Sequence, residues 1–164
     1  GSETIGMAQR GGSVASHLRI AKGEVFSSLI PQGQADVIIA LEPGEAVRAY
    51  PYLKNGGQLI TSSRAVYPSG IKYDDKAVLD WLRTNVPTAV ILDGDALLQT
   101  CTAKSVNVAM LGAAAALGVL PFEPQALENT ISSFGKPQFV ENNLLALNYG
   151  KKLIIEQSSG GKSL

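Results

Sequence analysis

The apolar positions of this chain form short runs and helical stripes in alternation. Asp36–Leu41 (DVIIAL) is continuous, as expected of a central strand buried on both faces. Gln58–Thr61 and Thr88–Leu92 (TAVIL) read as further strands. Ser13–Ile20 alternates in the manner of a strand, and with Glu24–Ile30 it flanks Lys22-Gly23, which predicts an antiparallel hairpin. Between these runs lie helices. Pro43 is placed to open one that runs to about Leu53, where Asn55-Gly56-Gly57 would end it. Ser62–Gly70 is a loop, and Asp74 or Asp75 then caps a helix through about Thr84 that buries Val78, Leu79 and Leu82. Asp93-Gly94-Asp95 opens a short helical piece to about Thr100. Lys104–Leu117 is the clearest helix, and its stripe of Ala109, Gly112, Ala113 and Ala116 would let another element pack very closely. Pro121 ends it, Pro124 starts a helix to about Ser133, and Pro137 starts the last, through about Glu156.

Strands alternating with helices predict an α/β fold: a three-layer α/β/α sandwich with a mostly parallel mixed sheet and an antiparallel hairpin at one edge. Residues 1–157 are expected to form one domain and 158–164 a disordered tail.

Composition narrows the function. The chain has no net charge, with 14 basic and 14 acidic residues, which argues against nucleic acid or an anionic membrane as partner. Charged residues make up only 17%, which fits a protein whose surface is covered in a larger assembly. One cysteine, Cys101, excludes an internal disulfide and also a protein-bound iron–sulfur cluster, which needs about four thiolates. No signal peptide is recognised. The most apolar run, Val106–Leu120, contains Asn107 and falls short of the roughly 18 residues that cross a bilayer. The expectation is a cytoplasmic protein.

Several residues invite a chemical role and are better explained without one. His17 is the sole histidine and sits mid-strand with no nucleophile motif, so a satisfied or exposed strand histidine is favoured over a base, and one His with one Cys argues against a zinc site. Asp93 and Asp95 follow a strand, where ligands often sit in open sheets, but helix capping by Asp95 or its neighbour outweighs magnesium binding. Gly160-Gly161-Lys162-Ser163 has the end of a Walker A loop without its beginning, since position 156 is Glu. Cys101 lies near a helix start, which can activate a thiol, yet a buried structural role is favoured. Asp93-Gly94-Asp95 has the wrong order for a thiamine diphosphate motif and no Asn-rich sequel.

The most informative stretch is Glu3–Val14, ETIGMAQRGGSV. Gln9 and Arg10 offer several planar donors suited to a carboxylate, a phosphate or a partner's carbonyls. Gly11 and Gly12 let backbone approach a partner closely. By physics alone this is a polar turn before an edge strand. The letters GMAQRGGSVASHLRI, however, resemble a segment of the gamma-type domain of 2-oxoacid:ferredoxin oxidoreductases, with the indolepyruvate-type beta subunit the nearest form. Pro31–Glu42 (PQGQADVIIALE), Pro51–Gly57 (PYLKNGG) and Asn107–Gly118 (NVAMLGAAAALG) fit the same family in the right order. That family's pattern opens with a strand, a GxGGQG-like turn and a helix before this segment. Either that βα unit lies outside this sequence or the domain lacks it.

The resemblance implies a subunit without a redox centre, binding no cofactor of its own. Its partner would be the catalytic large subunit, which carries thiamine diphosphate, Mg and iron–sulfur clusters, reduces ferredoxin and forms an acyl-CoA. This subunit would help close the active site and hold coenzyme A, with Met7, Gln9, Arg10, Gly11, Gly12 and Ser13 facing that site or the interface. A homodimer is left open for the isolated chain. The rivals are a stand-alone nucleotide- or CoA-binding module and a structural interaction domain.

Overall fold

Three parallel strands frame the molecule, each followed by a helix. In the computed structural model, which describes residues 2–5, 14–67 and 72–159, β1 (Ser2–Ile5) pairs antiparallel with β2 (Val14–His17) as a ribbon of its own. A separate parallel sheet has the order β3 (Ala35–Ala40), β4 (Leu53–Ser62), β5 (Ala89–Leu92). Helix α1 (Pro43–Ala49) follows β3, α2 (Asp75–Asn85) follows β4, and α3 (Gly94–Thr100) follows β5. The chain closes with α4 (Val106–Ala116), α5 (Pro124–Phe134) and α6 (Pro137–Ser159).

Strand periodicity divides the core in two. Ile38, Ala40, Leu59, Ala89 and Ile91 face Ala46 and Val47 of α1 and Val78 and Leu82 of α2. Their neighbours Ile39, Ile60, Val90 and Leu92 face α3 and α4. Leu59, Ile60, Leu82, Leu92 and Leu97 are wholly buried, each contributing about 2 kcal/mol through the area removed from water. This is the three-layer α/β/α sandwich that the alternation predicts.

Beyond α4 lies α6, as a further layer. The expected small-residue stripe of α4 meets it directly. A Cβ on Gly112 would stand 2.1 Å from the Leu147 carbonyl oxygen, and one on Gly150 would stand 1.8 Å from that of Ala109. The two helices thus approach backbone to backbone at reciprocal glycines, and Ala109, Ala113 and Ala146 are fully buried beside them. Lys151 of α6 pairs with Glu128 of α5, fixing α5 against the same helix.

Four expectations are corrected. The hairpin is not Ser13–Ile20 with Glu24–Ile30: only Val14–His17 is a strand there, and its partner is Ser2–Ile5. The Arg19 guanidinium donates to the Ser27 and Leu29 carbonyls, and Ser27 Oγ accepts from Leu29 N–H. Local side-chain bonds thereby occupy groups that a ladder would use.

Secondly, Asp36–Leu41 is not central. Among the described residues β3 is an outer strand, and β4 lies in the middle. Thirdly, the helix from Pro43 stops at Ala49, because Pro51 cannot donate the next helical bond; one 3-10 turn (Tyr50–Tyr52) follows. Asn55-Gly56-Gly57 ends no helix but lies inside β4, where the register against β3 shifts. Gly56 has φ of 72°, and a Cβ on Gly57 would meet the Ala35 carbonyl oxygen at 3.0 Å. Fourthly, Ser158 and Ser159 belong to α6, bonding Ile154 and Ile155 carbonyls, while 160–164 lie outside the described residues.

Gly112→Ala and Gly150→Ala should each cost about 3 kcal/mol, because a methyl directed at backbone forces the helices apart. Gly23→Ala, with nothing within 4 Å of the added Cβ, should stay within about 0.5 kcal/mol of wild type. Urea midpoints of the three variants check this, and equal midpoints would refute the close contact.

Candidate functional site

The motif residues Met7, Gln9, Arg10, Gly11, Gly12 and Ser13 lie outside the described residues. Their flanks are described. Ile5 and Val14, on either side of the motif, stand opposite each other in the ribbon. The other end of the ribbon is tied to the body at His17, whose Nδ1 accepts from Ile30 N–H at 3.2 Å. The His17 ring packs edge-on to Tyr52, with centroids 5.7 Å apart. Gly33 N–H donates to the Pro51 carbonyl nearby. His17 is therefore a satisfied strand histidine, and the ribbon sits at the amino end of the parallel sheet, where β3 and β4 begin.

At the opposite, carboxyl end, open α/β sheets usually bind ligands. Here each parallel strand leads into a helix capped by an acid. Glu42 Oε2 and Oε1 accept from Gly44 and Glu45 N–H at 3.0 and 2.6 Å at the start of α1. Asp74 accepts from Ala77 N–H at 3.0 Å on α2, and Asp93 accepts from Asp95 and Ala96 N–H at 3.0 and 3.1 Å on α3. The carboxylates complement the positive ends of the helices, where an anionic ligand would otherwise bind. Capping falls to Asp93, the neighbour of Asp95, and Asp95 itself pairs with Arg64 at 2.8 Å.

A cleft of about 430 Å³ opens beside these caps, walled by Leu41, Val66, Leu98 and Val106 with Arg64 and Lys104 at its polar side. The sequence offered no signal for it, because its walls come from four separate segments.

Glu42 has a second partner that local sequence could not show. The Tyr73 hydroxyl donates to Glu42 and accepts from Gly44 N–H at 3.2 Å. Glu42 is nearly buried, so this bond satisfies a carboxylate that water hardly reaches. Burial, reinforced by the bond to Glu42, holds the Tyr73 phenol well above its usual pKa.

Cys101 is buried at the end of α3, and burial pushes its thiol upward, away from a reactive thiolate. With one cysteine in the chain and, among the described residues, no group of three His, Cys, Asp or Glu side chains that could hold a metal ion, the donor set does not fit an iron–sulfur cluster or a chelated metal. No described helix is long and apolar enough to cross a membrane. Gly160-Gly161-Lys162-Ser163 lies outside the described residues.

The profile of the family described as pyruvate ferredoxin/flavodoxin oxidoreductase matches residues 1–153. The chain belongs to the pyruvate ferredoxin/flavodoxin oxidoreductase family. It is 35% identical over 156 residues to the indolepyruvate oxidoreductase subunit IorB of Archaeoglobus fulgidus, covering 91% of this chain and 77% of that protein. To the subunit of the same name from Methanothermobacter thermautotrophicus it is 32% identical, covering 91% and 79%. The fold matches that of the gamma subunit of a keto/oxoacid ferredoxin oxidoreductase from Geobacter sulfurreducens, with a TM-score of 0.53 and 23% identity over 82% of this chain and 67% of that one. This oxidoreductase subunit thus has an α/β frame in which Glu42, Asp74 and Asp93 accept from backbone amides at the starts of three helices.

In this oxidoreductase subunit, Tyr73→Phe should cost about 1–2 kcal/mol at pH 7 by leaving Glu42 short of a donor. The folded protein holds the phenol proton more tightly than the unfolded chain. The stabilisation is therefore complete below the ordinary value of 10.0 and is lost as pH rises above it. Urea midpoints at pH 7 and pH 11 should fall less between the two in Tyr73→Phe than in wild type. An equal fall would remove Tyr73 from the alkaline response.

Proposed function

We propose that this chain is the non-redox subunit of a 2-oxoacid ferredoxin oxidoreductase of the indolepyruvate or pyruvate type. It docks on a larger catalytic subunit, which holds thiamine diphosphate, Mg and the iron–sulfur clusters and passes electrons to ferredoxin. It helps close the active site around the 2-oxoacid and coenzyme A. The observation that supports this reading is the family match across residues 1–153, taken with a donor set that cannot hold a cluster. A subunit of a redox enzyme that lacks redox ligands must act through a partner.

Met7, Gln9, Arg10, Gly11, Gly12 and Ser13 form the part that faces the site or the interface. Arg10 provides a planar fork for a carboxylate or phosphate, and Gly11-Gly12 remove the side chains that would hold a partner's backbone away. The rival, a stand-alone nucleotide- or CoA-binding module, is disfavoured by the three acid-capped helices. Each places a carboxylate where a phosphate would sit.

The purified chain alone should show no 2-oxoacid turnover with an artificial acceptor and no bound iron or thiamine diphosphate. Turnover by the lone chain would refute the subunit reading. Arg10→Lys should leave the lone chain's stability within about 0.5 kcal/mol, because Lys keeps the charge and loses only the two-point grip. Co-expressed with the catalytic subunit, it should lower the yield of complex or the rate of acyl-CoA formation. Normal assembly and turnover would remove Arg10 from the functional residues.

A further inference from the structure

The β1–β2 ribbon is a two-stranded sheet of its own, and a ribbon of that size is marginal in water without support. Neither strand packs broadly against another described element. Within β2, Val14, Ala15 and Ser16 are exposed and only His17 is half-buried. The described joins between ribbon and body are made by that side chain. Its Nδ1 accepts from Ile30 N–H at 3.2 Å, and its ring stands edge-on to Tyr52, the residue before β4. Ile30 belongs to a segment that is itself held, since Gly33 N–H donates to the Pro51 carbonyl at 2.9 Å. The connection therefore runs from His17 through Ile30 and Gly33 on one branch and through Tyr52 on the other.

The bond to Ile30 is conditional on a proton. A histidine nitrogen accepts only when it is bare, so the ring that holds Ile30 is neutral and carries its one proton on Nε2. An imidazolium has a donor on both nitrogens. Protonation sets N–H against N–H at Ile30, and turning the ring over only presents the other donor. No charged partner stands by to compensate. Arg19, two residues along, is directed to the Ser27 and Leu29 carbonyls, and Asp36 and Lys54 at the amino end of the sheet pair with each other. Lys22 and Glu24 lie on the exposed segment between, with no described bond to His17. Tyr52 is the titratable side chain packed against the ring.

We infer that His17 is a proton-operated latch between the β1–β2 ribbon and the body of the domain. Neutral, it holds the ribbon to Ile30; protonated, it gives up that bond and the ribbon loosens. Histidine is the side chain whose ordinary charge change falls between about pH 5 and 8. Because the neutral ring is the acceptor, the latch is closed at the upper end of that range and opens as pH falls through it. The two strands of the ribbon flank residues 6–13 in the sequence, so the proton sets how firmly the chain on either side of that segment is anchored. The inference stands on this chain's own geometry and does not require the subunit reading above.

The test is NMR of the full, isotope-labelled chain between about pH 8 and about pH 5. At the upper end the His17 ring should carry its proton on Nε2. A proton on Nδ1 there would show that the Ile30 bond does not exist and would overturn the inference. As pH is lowered, the protection of the Ile30 amide against hydrogen exchange, corrected for the intrinsic rate, should fall about fivefold or more, the worth of one net hydrogen bond. The Val86 amide, which donates to the Leu82 carbonyl at the end of α2, is the control and should change less than about twofold.

Two variants separate the latch from general acid loosening. His17→Asn offers a side-chain oxygen as acceptor and does not titrate, so Ile30 should keep the same protection at both ends of the range. His17→Phe keeps a ring for Tyr52 and removes the acceptor, so Ile30 should show the low protection at both ends. If Ile30 protection in wild type does not fall, or falls only in step with Val86, the inference is overturned. An equal fall in His17→Asn or in His17→Phe overturns it as well, because neither side chain can take up the proton.

Discussion

The contact between α4 and α6 is the constraint on which the rest of this subunit rests. Helix α4 lies between the sheet and α6, so it has no wet side for most of its length: Ala109, Met110, Gly112, Ala113, Ala114 and Ala115 are all buried. Ala109, Met110, Ala113 and Ala114 belong with Ile60 and Leu92 of the sheet to one core cluster that also takes in Ala146 and Ile154 of α6. Small side chains on both helices let the backbones meet, and close packing compensates for the little apolar area each alanine carries. Were α6 held a few ångströms further out, the layer between it and the sheet would contain voids lined by methyl groups. The reciprocal placement of Gly112 and Gly150 prevents this.

With that side of the sheet closed, the two ends of the strands diverge in character. The carboxyl end carries Glu42, Asp74 and Asp93, each bonded to the amides of the helix it precedes, and Glu42 also holds Tyr73. These are structural carboxylates that consume the helix dipoles locally. The amino end carries the β1–β2 ribbon and residues 18–30, where Arg19 and His17 bond the backbone and Leu18, Ile20, Phe26 and Leu29 stay exposed. The frame thus satisfies its own carboxylates at one end and leaves large apolar side chains exposed near the other. The motif that marks the family falls between Ile5 and Val14 in the sequence, outside the described residues.

Period and punctuation made much of the frame legible. Pro43, Pro124 and Pro137 each open the helix expected of them, Asp74 caps α2, and the apolar runs at β3 and β5 are strands. The errors have a common cause. Ser13–Ile20 and Glu24–Ile30 have strand-like composition, but pairing depends on which edge is available, and that is not a local property. Arg19 folding back on Ser27 and Leu29 decided against the ladder. Likewise, Asn55-Gly56-Gly57 has the composition of a helix stop, yet β3 lies alongside and turns the same residues into an irregular strand.

The sequence by itself determined the class of fold, the helix boundaries set by proline and acidic caps, the close-packing stripe on α4 and, through its specific motif, the family. These are encoded by residues near one another in the chain, where spacing and side-chain type act directly. Tertiary structure alone decided that β4 rather than β3 is central and that the partner of the α4 stripe is α6 with its own Gly150. It also decided that Tyr73 completes Glu42 across 31 positions, and that the apolar residues of 14–30 stay on the surface. Each of these depends on which distant surfaces meet. Burial is a property of the whole packed chain, and a leucine in a strand-like run carries no mark of whether anything will cover it.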